Sequence, residues 1–289
     1  EKRFSPSPKP PSLFKKSGIL FDDKSRYAQY RLMQILRPNH PASISANGTI
    51  DTVKEVTPES LKAAYDSMLQ NDTVDIYVVG DIDVEEMTEK LRQVLAFGDR
   101  ELHEKQLKTE IDTKPEEYTK EQQEMKQGKL HIGFSTPVYF GDPDFPKMQI
   151  FNGIFGGYAH SKLFMNVRER ESLAYYASSS YSSQYGLVFV TSGIEPSNEK
   201  KAIDVINEQL KVMQNGEISD LELTQTKAML TNQLKEALDS ARGQIEIYDQ
   251  YKDLNEAFTI DTWAGRWQQV TKDDVQQMAK QVKREAIYF

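Results

Sequence analysis

Residues 155–180 read FGGYAHSKLFMNVRERESLAYYASSS, and the reading of this stretch decides the fold. It opens on Gly156-Gly157, a pair at which the backbone turns without steric cost. Residues 161–171 follow as a short helix, with Leu163, Phe164 and Val167 spaced for one buried stripe. Arg168 and Tyr175 come next, with Leu173-Ala174 between them. Residues 175–181, rich in serine and tyrosine, alternate as a half-exposed strand does.

Working outward, a strand over 129–135 and a helix over 144–155 lead into this stretch. Beyond it, a hairpin turn at Gln184-Tyr185-Gly186 precedes a strand over 187–191. A helix with Ile203, Ile206, Leu210 and Met213 on one face then ends at Asn215-Gly216, a C-cap pair. Ser219 with Glu222 is a capping box that opens a long helix to about residue 238. More helix follows, and Ala286-Ile287-Tyr288-Phe289 closes the chain as a strand. Upstream, the prolines of residues 5–12 rule out helix and central strand, so residues 1–20 read as an extended tail. A helix spans 24–37, with Tyr27, Tyr30 and Leu36 among its apolar positions, and 38–48 is a loop. Thr57-Pro58-Glu59 starts a helix to about residue 69, with an N-cap and proline at its first position. Residues 74–79, VDIYVV, are expected as a buried strand, and 84–95 as a helix. Residues 97–127 are highly charged and poor in aliphatic runs, the composition of an inter-domain connection.

The chain also echoes itself. Val56-Thr57 and Val270-Thr271 each start a helix that a strand follows, around Ile76-Tyr77 and Ile287-Tyr288. Ile50-Asp51-Thr52 echoes Ile260-Asp261-Thr262, and Tyr27-Ala28-Gln29-Tyr30-Arg31 echoes Tyr248-Asp249-Gln250-Tyr251-Lys252. The shared order points to a diverged internal repeat. On that pattern the counterpart of 129–239 lies ahead of residue 1, and the chain reads as a fragment.

Composition narrows the chemistry. A net charge of −8, without a lysine- or arginine-rich run, lacks the electrostatic footprint of nucleic-acid binding. No apolar run approaches the roughly 20 residues that cross a bilayer. The absence of cysteine excludes disulfides, thiolate metal sites and cysteine nucleophiles, and fits a reducing compartment, here expected to be cytoplasmic. The four histidines, His40, His103, His131 and His160, have no partner at helical spacing, and neither HExxH nor HxxEH occurs. They read as structural, and no metal site is expected in this chain. Gly153, Gly156 and Gly157 form no dinucleotide fingerprint, and no Gly-x-Ser-x-Gly elbow exists. Arg168 and Tyr175 are left. A guanidinium and a phenol on adjoining elements can meet on one carbonyl oxygen and stabilise its developing charge, or hold a peptide in register. Spacing alone favours a plainer reading, in which Arg168-Glu169-Arg170-Glu171 is a solvated helix face and Tyr175 an ordinary strand residue.

The order glycine pair, helix, arginine, Leu-Ala-Tyr and strand, from Gly156 to Tyr175, resembles the C-terminal domain of the pitrilysin family. This family comprises the insulinase-type zinc metallopeptidases, insulin-degrading enzyme and mitochondrial processing peptidase among them. The resemblance extends from about residue 22 to 289. It implies an α+β fold of antiparallel-rich sheets covered by helices. By resemblance, residues 21–96 are the remainder of an N-terminal peptidase-like domain, 97–127 a linker and 128–289 a C-terminal domain. Arg168 and Tyr175 inherit a substrate-binding role near the scissile carbonyl, and no residue of this chain inherits a catalytic one. Zinc is then expected on a missing segment or on a partner, since the family holds it on an HxxEH helix of the opposite domain. The resemblance implies a protein acting on unstructured peptides, inactive alone, as a dimer with itself or with a zinc-bearing homologue. Its alternative is a non-proteolytic peptide-binding or assembly subunit that keeps the fold.

Overall fold

Leu130, Ile132 and Phe134 alternate with Lys129, His131, Gly133 and Ser135, so the strand that carries them buries one face fully and leaves the other to a second layer. In the computed structural model, which describes residues 23–95, 102, 117–252, 254 and 258–289, this strand is β2, Gly128–Ser135, at the centre of a five-stranded sheet. The sheet also holds β1 (Glu117–Thr119), β3 (Ala174–Ser182), β4 (Leu187–Ile194) and β5 (Lys283–Tyr288), in the order β1-β5-β2-β4-β3. All neighbours are antiparallel except β1 and β5, so the expected α+β class with an antiparallel-rich sheet is what forms. β3 is an outer edge of this sheet.

Helices cover both faces unequally. Behind Leu130, Ile132 and Phe134 lies the main core, contributed by α5 (Phe145–Asn152), α6 (Glu199–Gln214), α7 (Asp220–Leu238), α8 (Ala241–Tyr251), α9 (Ile260–Gln269) and α10 (Lys272–Gln281). The stripe expected on α6 is there, with Ile206, Leu210 and Met213 buried. The Ser219–Glu222 capping box opens α7 as its spacing requires. On the opposite face, α1 (Lys24–Leu36) places Ala28, Leu32, Met33 and Leu36 over Leu187, Phe189, Ala286 and Tyr288. Its tyrosines differ from expectation: Tyr27 lies at the flank, where its hydroxyl donates to Glu121 at 3.0 Å, and Arg31 holds the same carboxylate at 2.8 Å.

Three helices stand apart from this core: α2 (Ile50–Glu55), α3 (Pro58–Asn71) and α4 (Val84–Val94). Neither α3 nor α4 buries a residue, and Leu61, Tyr65 and Met68 of α3 are exposed. The buried strand expected over 74–79 does not form. The segment is extended, exposes Val74, Ile76, Val78 and Val79, and pairs with no strand among the described residues. β-branched residues express a local preference for extended backbone, but a strand exists only where a neighbour takes its N–H and C=O groups.

The internal repeat survives in backbone detail. Thr49 and Thr259 cap α2 and α9 in the same way, each accepting from the N–H three residues on. Val56 and Val270 end those helices at φ −65°, ψ 123° and φ −63°, ψ 130°, and Thr57 and Thr271 then open α3 and α10 as capping boxes. The tail expected over 1–20 lies outside the described residues. Most of the 97–127 connection does too, while its end forms β1.

Candidate functional site

The glycine pair enters the structure differently from its sequence reading. α5 continues through Gly153–Gly157 with hydrogen bonds widened to the π-helical spacing, and neither glycine of the pair takes a positive φ. The need at Gly156 is proximity: a Cβ there would stand 2.5 Å from the Ser179 backbone nitrogen and 2.7 Å from the Leu163 side chain. The missing side chain lets this turn lie directly against β3.

The segment after it, Phe164–Arg170, is also π-helical and buries Val167. Its placement is set by Asn166, whose amide donates to Gln209 of α6 at 2.7 Å, and by the nearly buried Lys162, paired with Glu222 at 2.9 Å. Burial works to raise the Glu222 carboxyl, but hydrogen bonds from Lys162 and from Ser219 outweigh it and hold the group below the usual range. The chain then reverses through Ser172, whose φ of 50° is the only left-handed value at a non-glycine among the described residues. Such strain is kept where surrounding structure imposes it. Here Leu173 N–H is held by the Val167 carbonyl at 3.0 Å and begins the approach to β3.

Arg168 projects from this segment with its side chain 41% exposed and its guanidinium 4.6 Å from the centre of the Phe164 ring. Among the described residues its one carboxylate neighbour is Glu169 at 3.6 Å, a surface contact too long and too wet to hold the fork. Tyr175 is 62% exposed and sits in the bulge of β3, where the register to β4 passes from Ala174–Ile194 directly to Tyr176–Gly193. A bulged residue has no partner across the ladder, so its side chain is re-aimed away from the pleat. Two neighbours stabilise the bulge: the Ser192 hydroxyl donates to the Tyr176 carbonyl at 2.9 Å, and Gly193 leaves room for the Tyr176 ring, which would lie 2.4 Å from a Cβ. Arg168 and Tyr175 therefore sit on packed, adjoining elements with their polar ends in solvent.

Sequence reasoning singled out this pair but missed Phe164 and Ser172 as its supports. The signal for Phe164 was the Phe164–Arg168 spacing of four. Nothing in the sequence marks Ser172 as left-handed. The histidines go elsewhere. His160 stacks on Tyr158 and bonds Thr226 at 2.9 Å. His131 lies buried beneath α1, neither ring nitrogen having a hydrogen-bond partner among the described residues, and burial together with the Lys129 charge pushes its pKa down to about 4. Among the described residues no group of three His, Asp or Glu side chains is placed to hold a metal ion. No helix among them is long and apolar enough to cross a membrane.

Residues 55–230 match the family described as "Peptidase M16 inactive domain". The chain is 38% identical to "Probable inactive metalloprotease YmfF" of Bacillus subtilis over 271 residues, covering 93% of this chain and 63% of that protein. Among solved structures, a conserved protein of Enterococcus faecalis V583 superposes with a TM-score of 0.89 at 36% identity, over 96% of this chain and 66% of that one. A peptidase M16 inactive domain of Pseudomonas fluorescens superposes with a TM-score of 0.78 at 17% identity, over 96% of this chain and 68% of that one, which shows the shared fold. The chain thus spans just under two thirds of the length of the Bacillus and Enterococcus proteins.

Proposed function

This chain belongs to the M16 peptidase family, the pitrilysin-type family, through its inactive domain, and from that premise we propose that it contributes the Arg168/Tyr175 half of a peptide-binding site. The observation that carries this reading is the presentation of the two side chains. Arg168 is propped on Phe164 with only the loose 3.6 Å approach of Glu169 at its fork among the described residues, and Tyr175 is turned out by a bulge on an edge strand. Both groups donate, and a peptide carbonyl accepts. The free edge of β3 adds backbone groups to which an extended, unstructured peptide can pair by strand addition. Zinc and the general base belong, on this reading, to polypeptide outside this chain: a zinc-bearing homologue or a further segment of the same protein. Residues 21–96 are taken as the remainder of an N-terminal unit, 97–127 as the connection and 128–289 as the C-terminal unit. The setting is the bacterial cytoplasm.

A second reading has its own support, since the Bacillus relative is named a probable inactive metalloprotease. In it the fold binds peptides or assembles with partners without cleaving anything. One experiment addresses both. The protein is captured from native extract with its partners, and cleavage of unstructured peptides by the assembly is compared with an assembly carrying Arg168→Ala. The half-site reading expects an HxxEH-bearing relative in equal amount, with cleavage that the variant abolishes while this chain stays folded. Cleavage at an unchanged rate in the variant overturns the role of Arg168. Peptide binding by an assembly that never cleaves selects the second reading.

A further inference from the structure

Beside the β3 edge, on the side of α5, α7 and α8, opens a cavity of about 330 Å³ whose lining contains no charged residue, in a protein of which 28% is charged. Serines 180 and 183 line it from β3 and the turn beyond, Asn152 and Tyr158 from the widened helix, Gln233 from α7 and Gln250 from α8. The amides are partly committed. The Ser179 hydroxyl donates to Asn152 Oδ1 at 2.8 Å, and the Tyr158 hydroxyl donates to Gln233 Oε1 at 2.8 Å. Each bond occupies a carbonyl oxygen and turns an NH₂ group the other way, so Asn152 Nδ2 and Gln233 Nε2 are left as donors. Neither has a hydrogen-bond partner among the described residues.

We propose that this cavity is a side-chain subsite for glutamine or asparagine of a peptide lying along β3. The proposal rests on the peptide-binding reading above and names the kind of peptide it takes. Three physical arguments select the residue. A charged side chain would lose hydration in a site without a counter-charge. An aliphatic one would displace water from the half-buried Asn152 donor without replacing its hydrogen bond. A side-chain amide offers its oxygen to those donors and its NH₂ to the serine hydroxyls. The cavity borders residues 179–183, while Tyr175 lies at the other end of the same strand, so one extended peptide can span both.

The test measures binding by fluorescence anisotropy, so no zinc and no turnover are needed. The probes are labelled nine-residue alanine peptides with a solubilising terminal arginine and a single glutamine, glutamate, lysine or leucine placed at each position in turn. The wild-type chain is expected to prefer glutamine at one position by about three- to fivefold over the others, the effect of one net hydrogen bond at a partly exposed site. Gln233→Glu keeps the Tyr158 bond and the side-chain length but replaces the NH₂ donor with a carboxylate oxygen. It is expected to lose the glutamine preference and to favour lysine at the same position. Binding that depends on Arg168 yet shows no side-chain preference, or a preference that Gln233→Glu leaves unchanged, overturns the subsite and spares the peptide-binding reading. Absence of binding by every peptide overturns both.

Discussion

Arg168 and His131 show how differently two charged-capable side chains are used in one fold. Arg168 is exposed, with the Phe164 ring and a loose approach from Glu169 beside it, so Arg168→Ala should leave stability within about 0.5 kcal/mol, as surface substitutions do. Thermal melts check that, and peptide binding should fall by roughly 10- to 100-fold, the range for losing hydrogen bonds from a charged donor. A melting temperature lowered along with binding would make Arg168 a structural residue instead. His131 has the opposite character. Its imidazole titrates near 6.5 in an unfolded chain and about 4 in the folded one, because burial disfavours the charged ring. As pH falls between these values the unfolded state takes up the proton first, so stability is full above 6.5 and is lost progressively toward 4. The loss from this one group is about 3 kcal/mol. Urea unfolding at several pH values should show that slope in the wild type and a flatter one in His131→Leu. An equal slope in both would place the acid sensitivity in other groups.

At the scale of elements, the site is built from two departures from regular geometry: widened helical turns on one side and a bulged strand on the other. The first depends on close approach at Gly156. Gly156→Ala would press a methyl group against the Ser179 backbone, which cannot swing aside as a side chain would. Overpacking of this kind costs roughly 1–3 kcal/mol, and the expected drop in melting temperature is several degrees. Because β3 would be pushed outward, peptide affinity should fall with stability in this variant, unlike in Arg168→Ala. The helices, caps and turns around these elements follow local rules that the sequence expresses directly. Thr57, Ser219 and Thr271 cap helices where their spacing says they should, and Gly186 and Gly216 take the positive φ their turns require.

For the whole molecule, the internal repeat acquires a spatial meaning. α1, from the first copy, bonds through Tyr27 and Arg31 to Glu121 and lies over Tyr288 of β5, in the second copy. α8, from the second copy, answers from the other side: Asp249 accepts from the hydroxyl of Tyr77 at 3.1 Å, and Lys252 pairs with Asp75 and with Asp249. Each copy thus lends its helix to the strand region of the other. The two halves differ in what surrounds them, since β5 lies between β1 and β2 while residues 74–79 have, among the described residues, only these polar contacts and the Lys252 ammonium over the Tyr77 ring. Hydrogen exchange should accordingly protect β2, β4 and β5 most and residues 74–79 least. Lys252→Ala should accelerate exchange over 74–79 while lowering global stability by less than about 1 kcal/mol, the usual worth of a surface ion pair. Strong protection of 74–79 in the wild-type chain would contradict the exposed arrangement.

The order and type of residues 155–180 carried the most specific part of a family resemblance that ran over most of the chain, and that resemblance implied the α+β fold and gave Arg168 and Tyr175 their role. The helices, caps and turns followed from local propensity, and the resemblance from a motif whose parts are contiguous. Only the tertiary structure decided that 74–79 stays unpaired, that Gly156 serves proximity and not a left-handed turn, that Ser172 carries the strain, and that an uncharged cavity opens beside β3. Each of those is a relation between segments distant in the chain. A strand needs a neighbour to accept its hydrogen bonds, and a glycine's lack of a side chain matters only where something else comes close.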